Sequence, residues 1–184
     1  MPTLTATGLE AALDHLHAAP RETGTLTLVV RRPEVESREI LDEGVLDEEA
    51  GLVGDNWLSR ATSRAIAGER HLDAMVTVMS SRMVGLLGDT DQARALAGDQ
   101  LYVDLDLSHD NLPAGSRIAI GDDAVLEVTG KPHAGCKKFL ARFGPDALAF
   151  VNGEEGSRLR LRGLNARVVQ GGVVHPGDEV RRLG

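Results

Sequence analysis

RIAIGDDAVLEVT, Arg117–Thr129, holds two short strand-like runs, Arg117–Ile120 and Ala124–Thr129, on either side of Gly121-Asp122-Asp123. That is the pattern of a β-hairpin: extended apolar and β-branched residues joined by a glycine-containing turn. The same pattern recurs downstream. Leu159–Arg162, Asn165–Gln170 and Glu179–Leu183 read as strands, separated by Gly163, the Gly171-Gly172 pair and Pro176-Gly177-Asp178. Many short strands at close spacing predict a β-barrel or sandwich. No regular alternation of strand and helix marks a doubly wound sheet. No long repeat or linker divides the chain, so residues 1–184 read as a single domain.

Upstream, Gly98–Leu107 alternates, with Leu101, Val103, Leu105 and Leu107 on one face and Asp104 and Asp106 on the other. The two aspartates have the spacing of a paired acid and base. The exposed side of a half-buried strand has the same pattern, and that reading is preferred. Ala74–Ser80 and Thr25–Arg32 read as further strands. Ser80–Leu87 and Asp91–Ala97 read as short helical pieces, and Leu58–Ala67 as a short helix ending at Gly68. The Met pair in AMVTVMS reads as core filling. Thr7–Ala18 is predicted as an amphipathic helix, an extension to the domain. Thr7 caps it, Glu10 stands in capping-box spacing, and Leu9, Leu13 and Leu16 lie on one face. His15 and His17 read as surface residues. Glu34–Glu49 carries eight acidic residues without the ligand spacing of a calcium loop, and reads as a solvated loop or edge.

Composition excludes several classes. Hydrophobic residues make up 42 %, charged residues 26 % and aromatic residues 3 %, and the formal net charge is −8. Such a chain is globular, and it suits neither phosphate-backbone binding nor base stacking, so no nucleic-acid partner is expected. A single cysteine rules out an internal disulfide framework and a Cys-rich zinc site. Residues 1–20 lack the basic start and apolar run of a secretory signal, and no apolar run approaches the roughly 20 residues that cross a bilayer. A cytoplasmic protein with no membrane association is expected.

GKPHAGCKKFLARFG, Gly130–Gly144, is where chemistry concentrates. It holds the sole cysteine, Cys136, all three lysines, Lys131, Lys137 and Lys138, and His133. Pro132 interrupts regular structure and Gly135 permits a tight turn. From Cys136 a helical spacing begins, with Phe139, Leu140 and Phe143 as its apolar face. Gly144 is a fitting end, and Pro145 opens a second helix, Pro145–Asn152. Cys136 would then sit at a helix start after a strand-to-helix loop, where helix amides and lysines favour a thiolate and attract anions. The alternative is a lone cysteine as a small buried hydrophobe; two flanking lysines argue against it.

The ordered motifs around this stretch resemble the MOSC domain, found at the C-terminus of molybdenum-cofactor sulfurases and as stand-alone bacterial proteins. The resemblance starts at Gly98-Asp99-Gln100-Leu101 and runs through Leu112-Pro-Ala-Gly, Ile120-Gly121 and Val125–Thr129. It continues from Pro132 to Cys136 with Phe139, and closes with Leu164–Val169 and Gly177-Asp178. It is clearest over residues 98–183, with a weaker echo at Gly51–Trp57. Three departures stand out. Asp99 and Gln100 replace a Glu and an Asn of the family pattern, Gly135 replaces a frequent proline, and Gly54-Asp55-Asn56 stands where some relatives carry His-Gly-Gly.

The resemblance implies a mainly β fold with added helices, a MOSC-type barrel similar to that of pyruvate kinase. It implies Cys136 as the functional residue, either ligating molybdenum of a molybdopterin-type cofactor or carrying sulfur as a persulfide. Lys131, His133, Lys137, Lys138, Gln100, Asn165 and Arg167 are the candidate cofactor-binding residues. Soft thiolate ligation suits molybdenum. The first expectation is an oxidoreductase acting on N-hydroxylated or related small molecules, with a redox partner protein. The second is a sulfur carrier that meets a cysteine desulfurase, and the third a non-catalytic anion-binding module.

Overall fold

Eleven strands form in the computed structural model, which describes residues 5–64 and 72–184. They are β1 (Thr23–Arg31), β2 (Glu39–Leu41), β3 (Gly44–Asp47), β4 (Gly51–Leu52), β5 (Val76–Ser80), β6 (Leu101–Asp104), β7 (Arg117–Ile120), β8 (Ala124–Val128), β9 (Leu164–Gln170), β10 (Gly172–Val174) and β11 (Glu179–Leu183). Seven of them close on themselves in the order β1-β11-β7-β8-β9-β5-β6 and back to β1. The result is a mixed β-barrel; β5 and β6 run parallel and its other pairs antiparallel. Strand β2 extends the sheet from the far end of β1, and β10, β3 and β4 form a separate small sheet.

Alternation along the strands builds two apolar layers. Ile118, Ile120, Leu126, Val128, Leu164, Ala166, Leu101 and Val103 belong to the cluster that fills the barrel. Their neighbours on the other face, including Met79 and Tyr102, pack outward under the helices. Each buried Leu, Ile or Val contributes on the order of 1.5–3 kcal/mol, so closing both layers dominates stability. In β1 the inner residues are Leu26 and Val29, an odd spacing. The register to β6 shifts between Leu26 and Leu28, and this bulge keeps both residues inward while Leu28 and Val30 face the helices. Barrel closure also demands glycine at position 24, where a Cβ would lie 1.8 Å from the Asp104 carbonyl oxygen.

Helices α1 (Ala6–Ala11), α2 (Leu13–His17), α3 (Trp57–Arg64), α4 (Ser81–Leu87), α5 (Asp91–Ala95), α6 (Lys137–Asn152) and α7 (Glu154–Arg158) surround the barrel. Leu9, Leu16, Met83, Leu87, Phe139 and Val151 form the outer layer with Tyr102. Among the described residues no helix is long and apolar enough to cross a membrane.

Four expectations need correction. The N-terminal helix is two short pieces that meet at Ala12, and its cap is Thr5, whose hydroxyl accepts from the Gly8 amide, rather than Thr7. The acidic stretch 34–49, read as a solvated loop or edge, does supply an edge strand, β2, but also β3 inside the small sheet, because Leu41 and Leu46 supply inward apolar positions between the charges. Leu159–Arg162 is a turn after α7, in which Arg160 takes a positive φ of 50°. The Gly98–Leu107 strand shortens to Leu101–Asp104, although Leu105 and Leu107 still bury in the barrel. The expected helix Leu58–Ala67 is seen as Trp57–Arg64, and its end at Gly68 lies outside the described residues.

Candidate functional site

Strand β8 ends at Val128, and the chain then crosses a barrel rim as the loop 129–135 before entering α6. Asn165 at the start of β9 holds this loop: its Nδ2 donates to the carbonyls of Lys131 and Pro132, both at 3.1 Å. Gly135 is clamped from the other side. Its amide donates to Asn152 Oδ1 at 2.8 Å, and Asn152 Nδ2 donates back to its carbonyl at 3.2 Å. A Cβ on Gly135 would sit 2.6 Å from Leu148, and a proline would have no N–H to give. The glycine that departs from the family pattern is therefore built into the way this loop docks on α6.

Cys136 follows as the N-cap residue of α6, with extended backbone (φ −122°, ψ 178°) and an exposed side chain. The helix breaks where expected, at Gly144 (φ 86°, ψ 173°), and restarts at Pro145. The sulfur faces the first turn without closing a hydrogen bond of normal geometry. Partial burial pushes its pKa up, but the amides of Phe139 and Lys138 and the guanidiniums of Arg162 and Arg142 outweigh it, and the net shift is downward. A depressed pKa on an exposed thiol is the condition for thiolate reactivity or soft-metal ligation.

The sulfur opens on a cavity of about 400 Å³ lined by cations from distant parts of the chain: Arg32, Arg38, Arg60, Lys138, Arg142 and Arg162. Glu34 and Glu36 are the acidic residues in its lining. Arg32 is fixed by buried Asp55, which accepts from Arg32 Nε at 2.8 Å and Nη2 at 2.9 Å. The Gly54-Asp55-Asn56 turn thus positions a cavity arginine. Arg162 is held by Asp99 at 2.6 Å and stacks 5.2 Å from the Phe139 ring centre. Glu36 bridges Lys138 and Arg142 across the cavity, and these two cations hold its carboxyl at about 2. Its φ of 66° is unusual for a residue with a Cβ.

Arg38 differs from the others. It is half-buried, its Nε is buried without a partner, and no carboxylate among the described residues pairs with it. Burial, then the neighbouring Arg142 and Arg32, lower its pKa. Its Nη1 donates to the Ser37 carbonyl at 2.5 Å and Glu36 acts on it from nearby, so an anion joining it would complete its partners.

His133 lies in the wall of the same cavity, its Nε2 2.7 Å from Asp99 Oδ1. Asp99 is fully buried. Burial pushes its carboxyl up, but Arg162 and His133 prevail and hold it at about 2. The aspartate of the Gly98-Asp99-Gln100-Leu101 motif thereby orients two residues of the cavity wall.

The structure brings Cys136, Lys138 and His133 together around one cavity. The other candidates stand elsewhere. Lys131 faces a neighbouring cavity, Lys137 is exposed outside both, and Asn165 supports the loop from behind. Gln100 is buried and braces the barrel: its Oε1 accepts from the Thr77 amide (2.9 Å) and hydroxyl (2.6 Å). Arg167 pairs with Glu127 at 2.5 Å, in neither lining. Asp104 and Asp106 have structural partners, Arg82 at 2.5 Å and the Ser108 amide at 2.9 Å. Sequence reasoning missed the arginines and Asp55. Their signal, single arginines in a 17-arginine chain, is lost without the fold.

Solved structures share this architecture. YuaD protein from Bacillus subtilis superposes with a TM-score of 0.59 at 19 % identity, covering 86 % of this chain and 94 % of that one. YiiM from Geobacillus stearothermophilus gives 0.53 at 17 % identity, over 88 % and 73 %. YiiM from Escherichia coli gives 0.54 at 17 % identity, over 87 % and 70 %. At such identity the likeness establishes the fold alone. No curated protein matches the sequence significantly. The pattern of the MOSC domain matches residues 86–181, more than half of the chain, a span that takes in Asp99, His133, Cys136, Arg142 and Arg162. The chain therefore belongs to the MOSC domain family.

Proposed function

We propose that this protein binds a molybdenum cofactor in the arginine-rich cavity, with Cys136 as the protein's ligand to molybdenum, and that it acts as an oxidoreductase on N-hydroxylated or related small molecules. The observation that carries the reading is the pairing of an exposed, acid-shifted thiol with an unpaired, half-buried Arg38 in one cavity. Among the described residues no group of three or more His, Cys, Asp or Glu is placed to hold a metal ion. A metal at Cys136 would draw its other ligands from a cofactor that brings its own, as a dithiolene pterin does. When bound, that cofactor supplies two-electron redox chemistry at the metal.

The chain's residues divide the remaining work. Arg38, Lys138 and Arg142 supply positive charge for the anionic part of the cofactor, with Arg142 and Lys138 available once Glu36 swings away. Arg32 stays anchored to Asp55 and contributes a fixed field. The first turn of α6 and Arg162 favour the thiolate form of Cys136. His133, held through Nε2 by Asp99, has Nδ1 left to exchange a proton at the cavity wall. Anaerobic purification from a molybdate-replete host, followed by metal analysis, tests the reading. Molybdenum in the wild type that Cys136→Ser holds less tightly supports it, and its absence from the wild type overturns it.

A sulfur-carrier role is the second reading, favoured by the exposure of Cys136 and its lowered pKa. It would require a desulfurase whose own persulfide passes its outer sulfur to Cys136, and a partner that takes the sulfur on, because the chain has no second cysteine to resolve a persulfide. Intact mass after incubation with a cysteine desulfurase and cysteine should show one added sulfur, lost in Cys136→Ser. An unchanged mass excludes it.

A further inference from the structure

His133 and Arg162 form a wall with a second cavity on its other side. This one measures about 170 Å³, below the range of drug-sized sites and suited to a ligand of few heavy atoms. Besides the shared wall it is lined by Lys131, His109, Arg160, Ser157, Asn152 and Thr129 among others, and no Asp or Glu contributes to it. In a chain of net charge −8 that is an unusual local balance.

Arg160 is the informative residue. It is only 9 % exposed, and its Nη1 donates to the carbonyls of Leu112 at 2.5 Å and Leu107 at 3.3 Å. Its Nε and Nη2 have no partner among the described residues, and no carboxylate there pairs with it. Lys131, on the rim, is likewise without an ion pair among the described residues. Neither Arg160 nitrogen, Nε or Nη2, is fully shielded from solvent, so both are open to an oxyanion, whose geometry matches the fork. Burial, then Arg160, lowers the pKa of His109, and the adjacent Asp110 opposes the shift without reversing it.

We infer that this second cavity is a binding site for a small oxyanion of the phosphate, sulfate or carboxylate type, held by Arg160 Nε and Nη2 with Lys131 and His109 beside it. The site shares only the His133 and Arg162 wall with the Cys136 cavity.

The test is an NMR titration of the His109 imidazole with inorganic phosphate, sulfate and acetate in turn, at constant ionic strength in chloride. The expected result is a saturable shift and a rise in the His109 pKa. Tighter binding of phosphate and sulfate marks a tetrahedral anion as the ligand, and tighter binding of acetate marks a carboxylate. Arg160→Lys keeps the charge but loses the fork, and should weaken binding by about ten- to a hundredfold. Lys131→Gln, on the exposed rim, leaves the fold intact and should weaken it by about two- to fivefold. Lys138→Gln, in the Cys136 cavity, should leave the His109 titration as it is. The inference is overturned if none of the three anions gives a saturable His109 shift, or if the shift survives Lys131→Gln and Arg160→Lys undiminished.

Discussion

Replacing Asp99 by Asn removes one charge at nearly constant volume, and the structure predicts two effects of opposite sense. Asp99 is fully buried, with Arg162 Nη1 at 2.6 Å and His133 Nε2 at 2.7 Å. Arg162 is itself buried, and its Nε already lacks a partner. Removing one partner of such a pair costs about 3–5 kcal/mol. For a chain of this length each kcal/mol moves Tm by about 2–4 °C, so Asp99→Asn should melt about 6–20 °C lower. The pH dependence has a definite sign. The Asp99 pKa is lowered to about 2 in the folded state, below its unfolded value of about 3.9. Its stabilisation is therefore complete above about pH 4 and is lost as pH falls through about 2, so the gap between wild type and variant closes over that window. The second effect is on the thiol. Arg162 favours the Cys136 thiolate, and without Asp99 its charge is uncompensated, so the thiol pKa should drop further. Thermal and urea unfolding, with alkylation rates measured against pH, read both effects. A stability loss under about 1 kcal/mol, or a thiol pKa that rises, would refute the role assigned to Asp99.

Iodoacetamide should modify wild-type Cys136 with an inflection below that of the same cysteine in the urea-unfolded protein, in the direction of the net downward shift. Glu36→Gln removes the carboxylate that bridges Lys138 and Arg142, so inorganic phosphate should then protect Cys136 from alkylation at lower concentration than in the wild type. Glu36→Gly should not destabilise the protein, since relief of the positive φ, worth on the order of 1–2 kcal/mol, offsets the lost exposed ion pairs; this is checked by urea unfolding. Gly135→Pro, which restores the common family residue, should cost about 1–3 kcal/mol by leaving Asn152 without its amide partner and crowding Leu148.

The barrel was legible because its strands are short, alternating and separated by glycine turns, a local signal present in β7, β8, β9 and β11. The place of Cys136 at a helix start and the break at Gly144 were legible for the same reason: Pro132, Gly135 and Gly144 act within a few residues. The acidic stretch misled because short strands such as β2 and β3 depend on pairing with distant partners, β1 and β10. The cavity itself was hardly legible. Lysines clustered in sequence drew attention to Lys131 and Lys137, yet only Lys138 of the three reaches the Cys136 cavity. Its arginines come from the end of β1, the loop beyond it, α3, α6 and the turn after α7. Three-dimensional closure brings them together, and no spacing rule along the chain records it. Gln100 shows the converse: a motif residue that is buried and braces Thr77.

X-ray absorption at the molybdenum edge of anaerobically purified wild type and Cys136→Ser tests the central claim most directly. The account predicts molybdenum in the wild type with one sulfur neighbour more than in the variant. An identical sulfur shell in the two proteins, or a wild type without molybdenum, would contradict it.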